Sequence, residues 1–198
     1  MRRPARNRLA RRRRRWLPWS IAAAVGAIAL GAIAALALGS NATYPQTSPA
    51  NFARVSVGGQ VGQDSPRLTV RTVAGSDLQI PAGKPTLLYF MAGWCASCLP
   101  ESQALDRIER RYGDRLIVLA VDADPSDPLA TLQSFRHQVG DPRYSFAQDP
   151  SAQISRAFGV AALDTTVVID AQGKVVYRSG VPIGDAAIQA AIAKAGVQ

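Results

Sequence analysis

Thr86-Leu-Leu-Tyr-Phe-Met-Ala-Gly-Trp-Cys-Ala-Ser-Cys-Leu-Pro-Glu101 runs from an apolar stretch of strand length into the only two cysteines of the chain. Six consecutive apolar or uncharged residues, Thr86 to Met91, suit a strand buried on both faces. Cys95 and Cys98 follow directly, where the pattern turns helical with Leu105, Ile108 and Tyr112 on one face and Gly113 at the stop. Leu116-Ile-Val-Leu-Ala-Val121 is a second such run, so a strand, a helix and a parallel neighbouring strand form one βαβ unit.

Working outward, Leu68-Thr-Val-Arg-Thr-Val73 alternates like a strand. A Gly75-Ser76-Asp77 turn and a short extended piece through Ile80 then complete a hairpin. Downstream, Leu129, Leu132, Phe135 and Val139 mark a helix ending at Gly140, and Ile154, Ala157 and Phe158 mark a shorter one ending at Gly159. Thr165-Thr-Val-Val-Ile169, the turn Asp170-Ala-Gln-Gly173 and Lys174-Val-Val-Tyr-Arg178 read as a closing hairpin, followed by an Ala/Ile-rich helix from Asp185 to Ala195. The predicted order is hairpin, βαβ, helices, ββα. That is an α/β fold with a mixed central sheet flanked by helices, parallel in the centre and antiparallel at the closing hairpin.

The spacing of the cysteines gives them their chemistry. Residues three apart on a helix share a face, so the two sulfurs reach disulfide distance without backbone movement. At a helix start, unpaired N–H groups and the dipole favour an anion, which lowers a thiol pKa. Cys95, the first and nearer to solvent, is the candidate nucleophile, and Cys98 the resolving thiol. A purely structural bridge closing so small a loop would remove little chain entropy. A zinc site usually needs four ligands, and beyond this pair the chain has no cysteine and a single histidine, His137, expected on a solvated helix face. No metal and no bound cofactor are therefore expected.

The net charge of +9 is local. Nine arginines lie within residues 2–15 with no acid among them, and the other 14 basic residues are matched by 14 acidic ones. This arm has no interleaved aromatic residues and no basic patch elsewhere to support it, so nucleic acid is not an expected partner. It runs instead into an uncharged stretch, and Trp19 to Leu38 is about the ~20 apolar residues a helix needs to cross a bilayer. The positive-inside bias keeps the arginines cytoplasmic. The expected organisation is a basic cytoplasmic tail (1–15), a transmembrane anchor (16–39), a flexible linker rich in Ser, Asn, Gln, Gly and Pro (40–66) and a catalytic domain (67–198) outside the cytoplasm. A cleaved signal peptide, with Ala35-Leu36-Ala37 as its small-residue site, is the other reading and places the domain in the same compartment. Arg13-Arg14-Arg15-Trp16-Leu17 also weakly matches a twin-arginine export signal.

Phe90-Met-Ala-Gly-Trp-Cys-Ala-Ser-Cys-Leu-Pro-Glu101 resembles the active-site segment of membrane-anchored thioredoxin-like proteins of the TlpA/ResA type. The resemblance extends from about Leu68 to the C-terminus and includes Gly83-Lys84-Pro85, Phe158-Gly-Val160, Thr165-Thr-Val-Val-Ile-Asp170 and Gly173. It implies a thioredoxin fold and thiol–disulfide exchange with the thiols or disulfides of exported proteins, served by a membrane protein that donates or accepts electrons. It also implies that Trp94 lines the substrate-facing surface and that Glu101 manages protons around the dithiol. One departure stands out. Where thioredoxin folds place a cis-proline before two threonines, this chain reads Asp164-Thr165-Thr166. A cis bond without proline costs about 3–4 kcal/mol, so the bond before Asp164 is expected to be trans. The groove formed with Asp164 and Thr165, where substrate strands dock, should then differ from the family's. The Asp164 carboxylate either faces Cys95 and raises its pKa or starts the strand pointing to solvent. Tyr89 occupies the place of the buried acid of cytosolic thioredoxins, which leaves Glu101 as the leading proton-handling group.

Two other classes remain in view. A peroxidase of the peroxiredoxin type would need Thr at position 92, which is Ala. A non-catalytic binding module or metallochaperone would keep the fold and the cysteines, but copper chaperones of the SCO type use a Cys-x-x-x-Cys spacing and a downstream site His that this chain does not clearly have. The Ala96-Ser97 dipeptide does not set the direction of exchange.

Overall fold

The computed structural model describes residues 59–197. The basic tail, the anchor and most of the linker lie outside them. Among the described residues no helix is long and apolar enough to cross a membrane.

Two sheets organise the domain. Strands β1 (Leu68–Arg71) and β2 (Asp77–Ile80) pair antiparallel as a separate hairpin. The main sheet has five strands in the order β5-β4-β3-β6-β7, formed by β3 (Thr86–Met91), β4 (Ile117–Asp122), β5 (Ser145–Gln148), β6 (Thr165–Ile169) and β7 (Val175–Ser179). β3, β4 and β5 run parallel, and β6 and β7 close the sheet antiparallel on the other side of β3. Helices α1 (Leu99–Tyr112), α2 (Leu129–Val139), α3 (Gln153–Ala157) and α4 (Asp185–Lys194) connect and cover it.

The two-residue period of a strand divides the core. Leu87, Tyr89 and Met91 of β3, with Val118 and Ala120 of β4, face α1, α2 and α4 through Leu105, Ile108, Leu132, Phe135, Ile188 and Ile192. Leu88 and Phe90, with Leu119 and Val121, face the opposite way onto Ile154, Phe158, Val70 and Ile80. All six residues of β3 are buried, as a central strand with both faces covered requires.

Three details differ from the sequence reading. β5 was not expected: a four-residue edge strand has too few positions to show a period, yet Phe146 and Ala147 each bury into one of the two core faces. Leu129 opens α2 on the predicted stripe but is 44% exposed, while Leu132, Phe135 and Val139 of the same stripe are buried. The linker boundary at 66 falls inside the folded domain. Gly62 N donates to the Val175 carbonyl, Val175 N to Gln63, and Ser65 N to Gly173, so the chain already runs beside β7 there.

Candidate active site

The end of β3 fixes the position of the cysteines. After Met91 the chain leaves the sheet through Ala92 and Gly93. Gly93 N donates to Asp127 Oδ2 at 2.7 Å, and a Cβ at this position would meet Asp127 Oδ2 and Leu132 N at 2.8 Å. Only glycine lets the loop pack this tightly against the start of α2. Cys95 N then donates to the Ala92 carbonyl, and a short 3-10 turn, Ala96–Cys98, leads into α1 with Pro100 in its first turn. Cys95 is thus extended and caps the turn, while Cys98 is the N-cap of the α-helix proper.

Cys95 and Cys98 form a disulfide, with S–S 2.02 Å and Cα atoms 5.4 Å apart. Cys95 is 5% exposed and Cys98 is fully buried, so Cys95 is the sulfur nearer to solvent. Beside it Trp94 is 61% exposed, its indole N–H donating to Asp124 Oδ2 at 2.8 Å. A large aromatic side chain stands largely exposed at the surface next to the more reachable sulfur, its indole N–H held by Asp124.

Asp164 lies at the start of β6, where β6 runs beside the end of β3. Its backbone is left-handed, with φ 59°, a conformation Asp tolerates better than most residues. The one cis peptide among the described residues precedes Pro81, so the bond before Asp164 is trans. Its side chain turns inward. Tyr89 OH donates to Asp164 Oδ1 at 2.5 Å and lies 3.4 Å from the Cys98 carbonyl. Ser97 Oγ donates to Asp164 Oδ2 at 3.3 Å and sits 3.3 Å from Cys95 Sγ. An Asp164 oxygen and both cysteine sulfurs lie within 4.8 Å of one another. Burial first, and the bond to Asp164 second, push the Tyr89 hydroxyl well above its ordinary value, so it is a permanent donor.

Glu101, in the first turn of α1, is buried and bridges two other elements. Its Oε1 accepts from Thr166 Oγ1 at 2.5 Å and its Oε2 from Ile183 N at 2.8 Å. Burial raises its pKa; the two donors oppose the shift and the charge of Asp164 adds to it. Thr165 is buried with its hydroxyl given to the Ala162 carbonyl at 2.7 Å. His137 is on the surface, paired with Asp141 at 2.9 Å.

The structure therefore brings Cys95, Cys98 and Asp164 together, with Trp94 at the rim and Glu101 in a neighbouring buried network. It adds two residues that the sequence did not assign to the site, Tyr89 and Ser97. Tyr89 marks itself by carrying a hydroxyl in the middle of a buried, largely apolar strand, and Ser97 by lying between the cysteines. A cavity of about 500 Å³ lined by Lys84, Asp114, Gln172 and Val197 opens at the far ends of the strands and has no part in this chemistry.

A model of the redoxin family matches residues 60–192, which hold the whole of this constellation. The chain belongs to the redoxin family. Among its relatives, the mercury resistance operon ORF3 protein of Streptomyces lividans is 34% identical over 131 residues, 65% of this chain and 69% of that one. The thiol-disulfide oxidoreductase ResA of Bacillus thuringiensis is 29% identical over 122 residues, 60% of this chain and 69% of ResA. A solved structure described as the thiol:disulfide interchange protein DsbE of Chlorobium tepidum superposes with a TM-score of 0.61 at 25% identity, covering 69% of this chain and 98% of that one. A redoxin with these relatives and a bonded Cys95–Cys98 pair is a thiol–disulfide oxidoreductase by class.

Proposed function

We infer that this redoxin is an anchored, extracytoplasmic enzyme that exchanges its dithiol or disulfide with cysteines of exported proteins. The observation that carries the exchange reading is the Cys95–Cys98 bond at the junction of β3 and α1, with its outer sulfur beside the exposed ring of Trp94. In the reducing direction, Cys95 thiolate attacks a partner disulfide and forms a mixed disulfide, releasing one partner thiolate. Cys98 thiolate then attacks Cys95 Sγ, releasing the second partner thiolate and closing the Cys95–Cys98 bond. Two electrons pass to the partner, and each released thiolate takes up a proton.

The proton arithmetic involves carboxylates. Ser97 links Cys95 Sγ to Asp164, which makes Asp164 the nearest acid to the attacking sulfur. Glu101, whose pKa burial raises, is the second acid of the site. Trp94 supplies an aromatic face for a docking polypeptide, whereas Asp164 and Thr165 at the start of β6 are buried and act from behind that surface.

The apolar run from Trp19 to Leu38 behind nine arginines supports the location. A membrane protein that donates or accepts electrons would recycle the pair. Reduction of insulin disulfides by dithiothreitol, with the wild type and Cys95→Ser compared, tests the exchange; equal rates would overturn it. Protease digestion of intact and permeabilised cells tests the location. A domain cut only after permeabilisation of the cytoplasmic membrane would refute it.

A further inference from the structure

Reduction of the disulfide would leave three donor atoms in one buried spot. Cys95 Sγ, Cys98 Sγ and an oxygen of Asp164 lie within 4.8 Å of one another, and all three residues are buried. Among the described residues this is the only such trio of His, Cys, Asp or Glu. Zinc holds thiolate sulfur at about 2.3 Å and carboxylate oxygen at about 2.0–2.2 Å, so neighbouring ligands on a tetrahedral ion stand about 3.3–3.8 Å apart. Three atoms already confined to a 4.8 Å cluster reach that spacing once the S–S bond opens and the sulfurs separate.

The carboxylate is aimed before any ion arrives. Tyr89 OH fixes Oδ1, and Ser97 Oγ contacts both Oδ2 and Cys95 Sγ. Hydrogen bonds of this kind orient metal-ligating carboxylates and are part of their affinity. Along the linear sequence the two cysteines have no third Cys or His ligand near them. Asp164 comes from a strand start 66 residues after Cys98 and is placed beside them only by the pairing of β6 with β3.

We propose that the reduced protein binds a thiophilic divalent cation, with zinc as the test ion, through Cys95 Sγ, Cys98 Sγ and Asp164, and that the bound ion holds the dithiol out of disulfide exchange. This rests on the reading of Cys95–Cys98 as a reducible pair. A dithiol reductant supplies the two electrons and two protons that open the bond and becomes a disulfide itself. Zinc then displaces both thiol protons to solvent and binds two thiolates and one carboxylate oxygen, its oxidation state unchanged. Three protein ligands leave the fourth position to water. While its lone pairs are committed to the ion, neither sulfur attacks a partner disulfide, and release of the ion restores the nucleophile.

The full-length protein, reduced with a dithiol, freed of reductant and stripped of metal under anaerobic conditions, is titrated with zinc against a chromophoric chelator. Cobalt(II) serves as the spectroscopic probe. The expected result is one ion per chain, release of two protons, and a thiolate-to-cobalt charge-transfer band that the oxidised protein lacks. Asp164→Asn weakens zinc binding by about tenfold or more, and Cys95→Ser removes the tight site. The oxidised wild type is a control that needs no substitution and carries no folding risk. Binding to the oxidised protein as tight as to the reduced one, equal affinity in Asp164→Asn and wild type, or no binding at all would each overturn the inference.

A second readout follows the reduced protein with a chromogenic aromatic disulfide, free of added thiol. One equivalent of zinc slows the reaction of its two sulfurs by about tenfold or more, and excess chelator restores it. Rapid reaction in chelator with no slowing by zinc overturns the inference and leaves the oxidoreductase reading intact. Failure of the insulin assay would count against that reading, while the zinc titration still decides this one.

Discussion

Replacing Tyr89 with Phe removes one oxygen atom from the centre of the domain and leaves the ring in place. Tyr89 is fully buried, and its hydroxyl is one of two donors to the Asp164 carboxylate, at 2.5 Å. The other, Ser97, is longer at 3.3 Å. A hydrogen bond to a carboxylate contributes about 1.5–3 kcal/mol net, and the 3.4 Å contact with the Cys98 carbonyl is too long to add much. The expected loss is about 2 kcal/mol, which for a urea m-value of about 2 kcal/mol/M lowers the midpoint by about 1 M with m unchanged. Urea unfolding of the oxidised protein at pH 7 measures it. A double-mutant cycle with Asp164→Asn isolates the pair and should give a coupling of about 1–2 kcal/mol. A loss under about 0.5 kcal/mol, or additive effects in the cycle, would refute the claim that Tyr89 holds Asp164 beside the dithiol.

Other expectations follow from single contacts. Asp122, fully buried at the end of β4, has its pKa pushed up to about 6, by burial first and by Asp127 second, against the opposing hydrogen bonds from Asp124 N and Gln148. Its folded value lies above its unfolded one, so its protonated form supports the fold below about pH 4 and that support is lost as pH rises through 6. Asp122→Asn should match the wild type near pH 4 and exceed it at pH 7 by up to about 3 kcal/mol; urea midpoints showing an equal difference at both pH values would contradict this. Gly93→Ala forces a Cβ against Asp127 and Leu132 at 2.8 Å, an overpacking that costs about 1–3 kcal/mol and displaces the Trp94–Cys95 loop, so both the midpoint and the insulin rate should fall. Glu101→Ala strips acceptors from Thr166 and Ile183 and should cost about 2–4 kcal/mol in the same unfolding assay, whereas no measurable loss would mean that water replaces the carboxylate.

The fold was legible where a pattern was long. The runs Thr86–Met91 and Leu116–Val121 are apolar on both faces because helices cover one side of the sheet and the short helix with the β1–β2 hairpin covers the other, and each falls within one residue of its strand. Ser145–Gln148 escaped notice because an edge strand pairs on one side only and four residues show no period. In the site, the cysteines were legible because three-residue spacing at a strand-to-helix junction has few other uses. Asp164 was noticed as a departure from a family pattern, but its inward turn depends on Tyr89 across the β3–β6 pairing, a contact 75 residues apart in the chain. Tyr89 was read as the absence of an acid, and the structure shows it positioning one. Nothing in the local sequence around Glu101 pointed to Thr166 and Ile183 as its partners, because both come from the antiparallel half of the fold. The anchor rests on composition alone and falls outside the described residues.

The central claim is that Cys95 is the attacking sulfur and Cys98 resolves the intermediate. Incubating reduced Cys98→Ser and Cys95→Ser variants with a protein that carries one accessible disulfide, and resolving the products by non-reducing electrophoresis and peptide mass mapping, tests it directly. A stable mixed disulfide at Cys95 in Cys98→Ser, with little or none in Cys95→Ser, is the predicted result. Adducts forming as fast through Cys98, or through neither sulfur, would contradict it.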